Sequence, residues 1–366
     1  MLAPVVPKAV AVRSSVPRRA VRRVLSGLSD KGRFLFVVCL ALGIAIVFNH
    51  LAAIWIKLPH REEAVYRRIG PRNGPQVFCA GSSLLQFALS WPEISEILGQ
   101  GIESWGMAAS TPSEWEAFQN LASSANLMII GVDVYDLNEY HLCDTRANVV
   151  PLVQTIQDLW QSNSDWQLSK RLLSQYPLSY LQKLLPTAGM SEQVLVRLRR
   201  KLPRQLWLRA AAEERVNTLM MPDGPVLNYG EINRKVTDLS PGRLLSKLAV
   251  MRRENRGRHA FNGPKKLAFE RMLLRAQQQG RVIVVVLPVA PVYVREFVTS
   301  EVARNFENVL DEAQHIDPQA QFVRLDKLPV LDSDEYYSDF VHLNGAGRRI
   351  ATGAFLSWLR QRTINQ

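Results

Sequence analysis

Val77-Phe78-Cys79-Ala80-Gly81-Ser82-Ser83-Leu84 joins an apolar run to a turn of small residues. Four apolar residues without polar alternation predict a strand covered on both faces, and Gly81-Ser82-Ser83 stops it. Leu84 to Leu89 then starts a helix. Working outward, similar runs recur. Ile102 to Trp105 ends at Gly106, Leu127 to Tyr135 forms a third run, and Val282 to Leu287 is closed by Pro288. Phe322 to Leu325 precedes a final loop and a helix over 345–361. Strands that are apolar throughout and separated by helical stretches predict an α/β fold with a five-stranded parallel sheet between helical layers.

Toward the N-terminus, Phe34 to Ile56 is about 23 residues without a formal charge, enough to cross a ~30 Å hydrocarbon core. Asn49 and His50 lie near one end of it, and Trp55 suits the headgroup boundary. A basic tail precedes it, with Lys8, Arg13, Arg18, Arg19, Arg22, Arg23, Lys31 and Arg33 against one acid, Asp30. The excess of cations predicts a single-pass transmembrane helix over 34–56 with tail 1–33 in the cytoplasm and the remaining chain extracytoplasmic. That space is the periplasm and the membrane the inner one if the cell is Gram-negative. A cleaved signal peptide fits less well, because bulky Ile54-Trp55 follows Leu51-Ala52-Ala53. Residues 57–74, with Pro59, Pro71 and Gly74, read as a linker to a domain over 75–366.

About 140 residues separate the third and fourth strands, more than a crossover needs. A helical insertion over about 141–280 is expected, broken at Pro203, Pro222, Pro225 and Pro241 and lying as a cap beside the sheet's active edge. It carries Arg197, Arg199, Arg200, Lys201 and Arg204, then Arg252, Arg253, Arg256, Arg258, Lys265 and Lys266. These are read either as solvated helix faces or as contacts to anionic lipid or acidic polysaccharide. The formal net charge is +12 and the pI near 9.8, which favours polyanionic partners. No zinc-finger spacing or nucleic-acid module accompanies the charge, so nucleic acid is not an expected partner. The three cysteines, Cys39, Cys79 and Cys143, make no disulfide scaffold and no metal motif. Cys79 and Cys143 are either buried thiols or a pair.

A serine hydroxyl needs a base to take its proton and a carboxylate to orient that base. Ser83 follows the first strand, where open α/β sheets collect reactive groups. Of six histidines, His50, His60, His259 and His315 lie in the span, the linker, a basic stretch and a polar segment; His141 is a competitor after the third strand. His342 stands in Ser338-Asp339-Phe340-Val341-His342-Leu343-Asn344, before Gly345 and Gly347. Asp339 can fold back onto its imidazole within one turn, so Ser83, His342 and Asp339 are the expected catalytic residues. Triad chemistry needs no cofactor, and no metal site is suggested.

Gly81-Ser82-Ser83-Leu84 resembles the first block of SGNH (GDSL-like) hydrolases, with Ser82 where many members carry Asp. Asp339-x-x-His342 is similar to their last block, and Gly106 falls where the second block supplies an oxyanion N–H. The resemblance spans roughly 75–140 and 280–366. It implies a three-layer, flavodoxin-like sheet and a Ser-His-Asp triad for ester hydrolysis or acyl transfer, with oxyanion donors from Ser83 and Gly106. The third block, normally Gly-x-Asn-Asp, reads Gly131-Val132-Asp133-Val134. Asp133 cannot donate as the family's Asn does. Either Asn138 or another donor replaces it, or the site is weaker; Asp133 equally reads as a strand-end residue. The anchor and the Asp-x-x-His-Leu-Asn ending look most like proteins that assist envelope polymer acylation, such as teichoic acid D-alanylation and exopolysaccharide O-acetylation. Those work beside a polytopic membrane-bound O-acyltransferase. The resemblance therefore implies an esterase or O-acyltransferase acting on an envelope or exported polysaccharide. The competing expectation is a non-catalytic SGNH-like scaffold; a nucleotide-binding domain is disfavoured because no GxGxxG or P-loop lysine is present.

Overall fold

The computed structural model describes residues 29–55, 77–99, 102–107, 110–119, 125–141, 150–185, 234–255 and 258–364. The basic tail up to Arg23, the 57–74 linker with His60, the Arg197–Arg204 cluster, Arg256 and Cys143 lie outside the described residues. The chain divides into two compact units, Met1–Leu58 with Leu184–Leu206, and Pro59–Lys183 with Trp207–Gln366.

In the first unit, α1 (Asp30–Trp55) is 26 residues long, with mean hydropathy 2.5 over its most apolar window. At 1.5 Å per residue it extends ~39 Å, so length and composition suffice to cross a membrane. Its apolar side chains, Phe34, Leu40, Ile44 and Phe48 among them, are exposed.

The second unit is α/β. Its strands are β1 (Val77–Ser82), β2 (Ile102–Met107), β3 (Leu127–Val132), β4 (Arg281–Val286) and β5 (Gln321–Arg324). All neighbours pair in parallel, in the order β2-β1-β3-β4-β5. Every residue of β1 and β3 is buried, as strands covered on both faces must be. The order reverses between β1 and β3, and the crevice at the carboxyl ends of those two strands is where such sheets place their sites. The third strand is shorter than the sequence predicts. It stops at Val132, because the Asp133 carboxylate takes the N–H groups of Tyr135 and Asp136 and turns the chain.

Helix α2 (Ser83–Ala88) follows β1 directly, then α3 (Trp91–Leu98), and α4 (Pro112–Gln119) follows β2. Leu85 of α2 sits over two glycines: a Cβ on Gly81 or Gly131 would lie 2.6 or 2.7 Å from its side chain. That absence of side chains lets α2 approach β1 and β3 closely. Between β3 and β4 come α5 (Leu152–Gln161), α6 (Trp166–Leu173), α7 (Tyr176–Leu184), α8 (Pro241–Asn255) and α9 (Pro264–Gln279). Within the stretch expected as an insertion, about 141–280, α9 packs on α4 and β4. Arg271 of α9 bonds Glu116 of α4 and Asp158 of α5, at 2.7 Å to each carboxylate. After β4 come α10 (Pro291–Phe297) and α11 (Ser300–Ile316); after β5, short turns lead to α12 (Gly345–Ile364).

Candidate active site

Ser82 ends β1 in an extended conformation and caps α2, its Oγ accepting the Leu84 N–H at 3.0 Å. Ser83 is therefore the first residue of the helix, at the switch point of the sheet. Its Oγ lies 2.8 Å from His342 Nε2.

The loop carrying His342 is fixed from several sides. Tyr337 and Leu343 form an antiparallel bridge, and Ser338 donates its N–H to His342 O. Phe340 O accepts the Ala290 N–H, tying the loop to the chain beyond β4. Asn344 accepts the N–H groups of Ala346 and Gly347 at the start of α12 and donates to Glu335 O. Gly347 has backbone 2.3 Å from where a Cβ would stand, so only glycine allows this approach to Tyr336 O.

Asp339 uses the three-residue spacing to fold back. Its Oδ1 accepts the N–H groups of Val341 and His342, and both carboxylate oxygens reach His342 Nδ1, at 3.0 and 2.9 Å. An Nδ1–H donated to Asp339 leaves Nε2 as the acceptor facing Ser83. Burial alone would raise the Asp339 carboxyl. The His342 charge and these hydrogen bonds outweigh it and hold the group below the usual carboxylate range. Phe87 sets its ring edge-on to the imidazole, centroids 5.1 Å apart. The expected Ser83, His342 and Asp339 thus form one continuous hydrogen-bonded chain.

The remaining expected residues fall elsewhere. Gly106 lies inside β2 opposite Gly81, one residue before the strand ends. Asn138 is fully buried and bound on both ends of its amide, accepting from Tyr140 and Ala260 and donating to Arg258 O. Through these bonds it pins the 133–141 loop to residues 258–260. His141 packs its ring on Tyr135, away from any bond to Ser83. Cys79 is a buried free thiol inside β1, and Cys39 is exposed on α1. Among the described residues no group of three or more His, Cys, Asp or Glu is placed to hold a metal.

Sequence reasoning missed Asp136. Ser82 Oγ donates to its carboxylate at 2.6 Å, so the residue beside Ser83 is tied to the loop after β3. Asp133 and Asp136 are both buried, and burial raises both carboxyls, Asp133 to about 6; the charge of Asp133 raises Asp136 further. Asp133 Oδ2 and the Tyr293 hydroxyl beside this pair are buried without a hydrogen-bond partner. The signal was present in the sequence as Asp133-x-x-Asp136, the spacing of Asp339-x-x-His342.

The same loop is anchored at its far end. Glu139 Oε1 accepts the N–H groups of Lys265 and Lys266 at the start of α9, and Lys265 Nζ donates to Asn138 O and His141 O. Burial pushes the Glu139 carboxyl up to about 7, with Lys265 and these N–H groups acting against it.

No family model matches this sequence, and no curated protein does. Among solved structures the chain is similar to one from Streptococcus pneumonia provisionally described as a platelet activating factor, at 12% identity and a TM-score of 0.36, covering 85% of this chain and 97% of that one. A likeness that low carries no argument about activity, and the residues of the site must carry it instead.

Proposed function

We propose that this chain is a serine esterase or O-acyltransferase of the SGNH type, held on a membrane by α1, with Ser83 as nucleophile. The observation that carries the reading is the chain of hydrogen bonds from Ser83 Oγ through His342 to Asp339. Ser83 Oγ attacks the carbonyl carbon of an ester, and its proton passes to His342 Nε2. The imidazolium, steadied by Asp339, then returns that proton to the departing alkoxide as the C–O bond breaks, leaving an acyl-Ser83. Water or a sugar hydroxyl gives its proton to Nε2 and takes the acyl group, restoring Ser83. The N–H groups of Ser83 and Gly106 hold the oxyanion. The substrates are ester groups of an envelope or exported polysaccharide. The basic tail keeps the N-terminus in the cytoplasm and the catalytic unit outside, beside a polytopic O-acyltransferase partner.

Asp133 favours a second reading, a non-catalytic scaffold, because a carboxylate there would repel an oxyanion. Burial raises the Asp133 carboxyl, which favours its neutral form and weakens that objection. The test is turnover of a p-nitrophenyl ester by the detergent-solubilised full chain. Ser83→Ala abolishes it, and Asp339→Asn, which favours the wrong imidazole tautomer, lowers it on the order of 10⁴-fold. A folded parent without turnover would favour the scaffold reading, and turnover unchanged in a folded Ser83→Ala variant would overturn Ser83 as nucleophile.

A further inference from the structure

Helix α5 is inverted in polarity. Its inward residues are Thr155, Asp158 and Leu159, and Asp158, 1% exposed, is held there by Arg271. Its outward stripe, three and then four residues apart, is Val153, Ile156 and Trp160, which are 66%, 49% and 84% exposed. A surface helix ordinarily does the reverse, turning its apolar stripe to the core. Trp166 opens α6 just beyond the α5–α6 turn and is 74% exposed. Two fully presented tryptophans at one end of a helical hairpin are a feature of binding surfaces rather than of solvated ones.

The charge around this face is mainly positive. Of the hairpin's two acids, Asp158 is buried against Arg271, and Asp165, half exposed, caps α6, accepts from Tyr140 and lies 4.0 Å from Arg258. The last turn of α6 carries Lys170 and Arg171, and Arg258 is half exposed beside Gln167. Aliphatic and indole side chains flanked by three cations against one exposed acid match the boundary between anionic headgroups and acyl chains. The same polypeptide supplies the bilayer. From Trp55 to Val77 the tether is ~70 Å even when fully extended, so a weak contact is made at high effective concentration.

We infer that the α5–α6 hairpin is a second membrane contact, seating Val153, Ile156, Trp160 and Trp166 in the interfacial layer of the bilayer that α1 spans. It rests on the reading of α1 as an anchor. Its consequence is orientational: two attachments fix the catalytic unit's tilt, whereas a tether alone leaves the unit free to tumble.

The test uses the full chain in vesicles of phosphatidylcholine and phosphatidylglycerol whose acyl chains are brominated. A Cys39→Ser, Cys143→Ser background carries one environment-sensitive fluorophore at a time, through Trp160→Cys, Glu301→Cys or Val47→Cys. Glu301 is an exposed residue of α11, and Val47 lies within α1. The expected result is quenching of the labels at 160 and 47 but not at 301, with the quenching at 160 reduced by Val153→Ser and Ile156→Ser. Quenching at 47 without quenching at 160 overturns the docking and leaves the anchor standing; that is also the result if a protein partner or residues 186–233 cover the face. No quenching at 47 overturns the anchor reading, and the docking with it. Equal quenching at 160 and 301 overturns the docking as non-specific adsorption.

Discussion

Gly131→Ala probes how α2 is set against the sheet, and with it the position of Ser83. A Cβ on residue 131 would lie 2.7, 2.8 and 2.9 Å from Leu85 Cδ1, Cβ and Cγ. Carbon pairs rest at ~3.5–4.0 Å, so three contacts are ~1 Å too short. The Leu85 Cβ cannot rotate away, so α2 must lift. Overpacking of this kind costs about 1–3 kcal/mol. Ser83 precedes Leu85 by two residues, and a displacement near 1 Å lowers reactivity on the order of 10²-fold. Leu85→Ala alone opens a cavity at a fully buried position and costs about 2–5 kcal/mol. In the double variant, Leu85→Ala removes two of the three clashes and the methyl added by Gly131→Ala fills part of the cavity. The two costs therefore do not add, and the expected coupling is ~1 kcal/mol. Chemical denaturation of the four proteins in one detergent measures the cycle, and the rate of serine labelling reports Ser83. Additivity within ~0.5 kcal/mol would refute the close-approach reasoning.

Two further substitutions address the loop after β3. Glu139→Gln keeps the acceptor for the Lys265 and Lys266 N–H groups and removes a carboxyl raised to about 7. A raised acid binds its proton more tightly in the folded state, so its contribution is intact below pH ~4.5 and lost as pH rises through ~7. The variant should match the parent in thermal melts at pH 4 and exceed it at pH 8 by up to about 3 kcal/mol. A gap that is constant with pH would show that ionisation of Glu139 is not the cause. Asp133→Asn preserves the acceptor for Tyr135 and Asp136 and places an amide where Oδ2 has no partner. Ester turnover should not fall; a fall would show that the Asp133 carboxyl itself takes part in the chemistry.

The sheet was legible because its strands are uniformly apolar, and uniform apolarity has one outcome in a sheet covered on both faces. Asp339 and His342 were legible because a three-residue spacing is a local property: the carboxylate needs only its own turn to reach the imidazole. What the sequence hid is what depends on distant partners. Val134 and Tyr135 extend the apolar run of β3, yet Asp133 ends the strand by taking the N–H groups of Tyr135 and Asp136. Asn138 carries the right amide for an oxyanion donor, and its bonds to residues 258–260, far along the chain, could not be read from its own neighbourhood. Helix α5 has an amphipathic pattern that fixes its two faces but not which one turns inward; Arg271 of α9 decides that by binding Asp158.

Covalent labelling of Ser83 tests the central claim most directly. The full chain in detergent is incubated with a fluorophosphonate, and the modified residue is located by peptide mass spectrometry, beside Ser83→Ala and His342→Ala. The predicted result is stoichiometric modification at Ser83 in the parent, none in Ser83→Ala, and severe slowing in His342→Ala. Equal labelling of the parent and His342→Ala, or a parent that is folded and unlabelled, would contradict an activated serine at the end of β1.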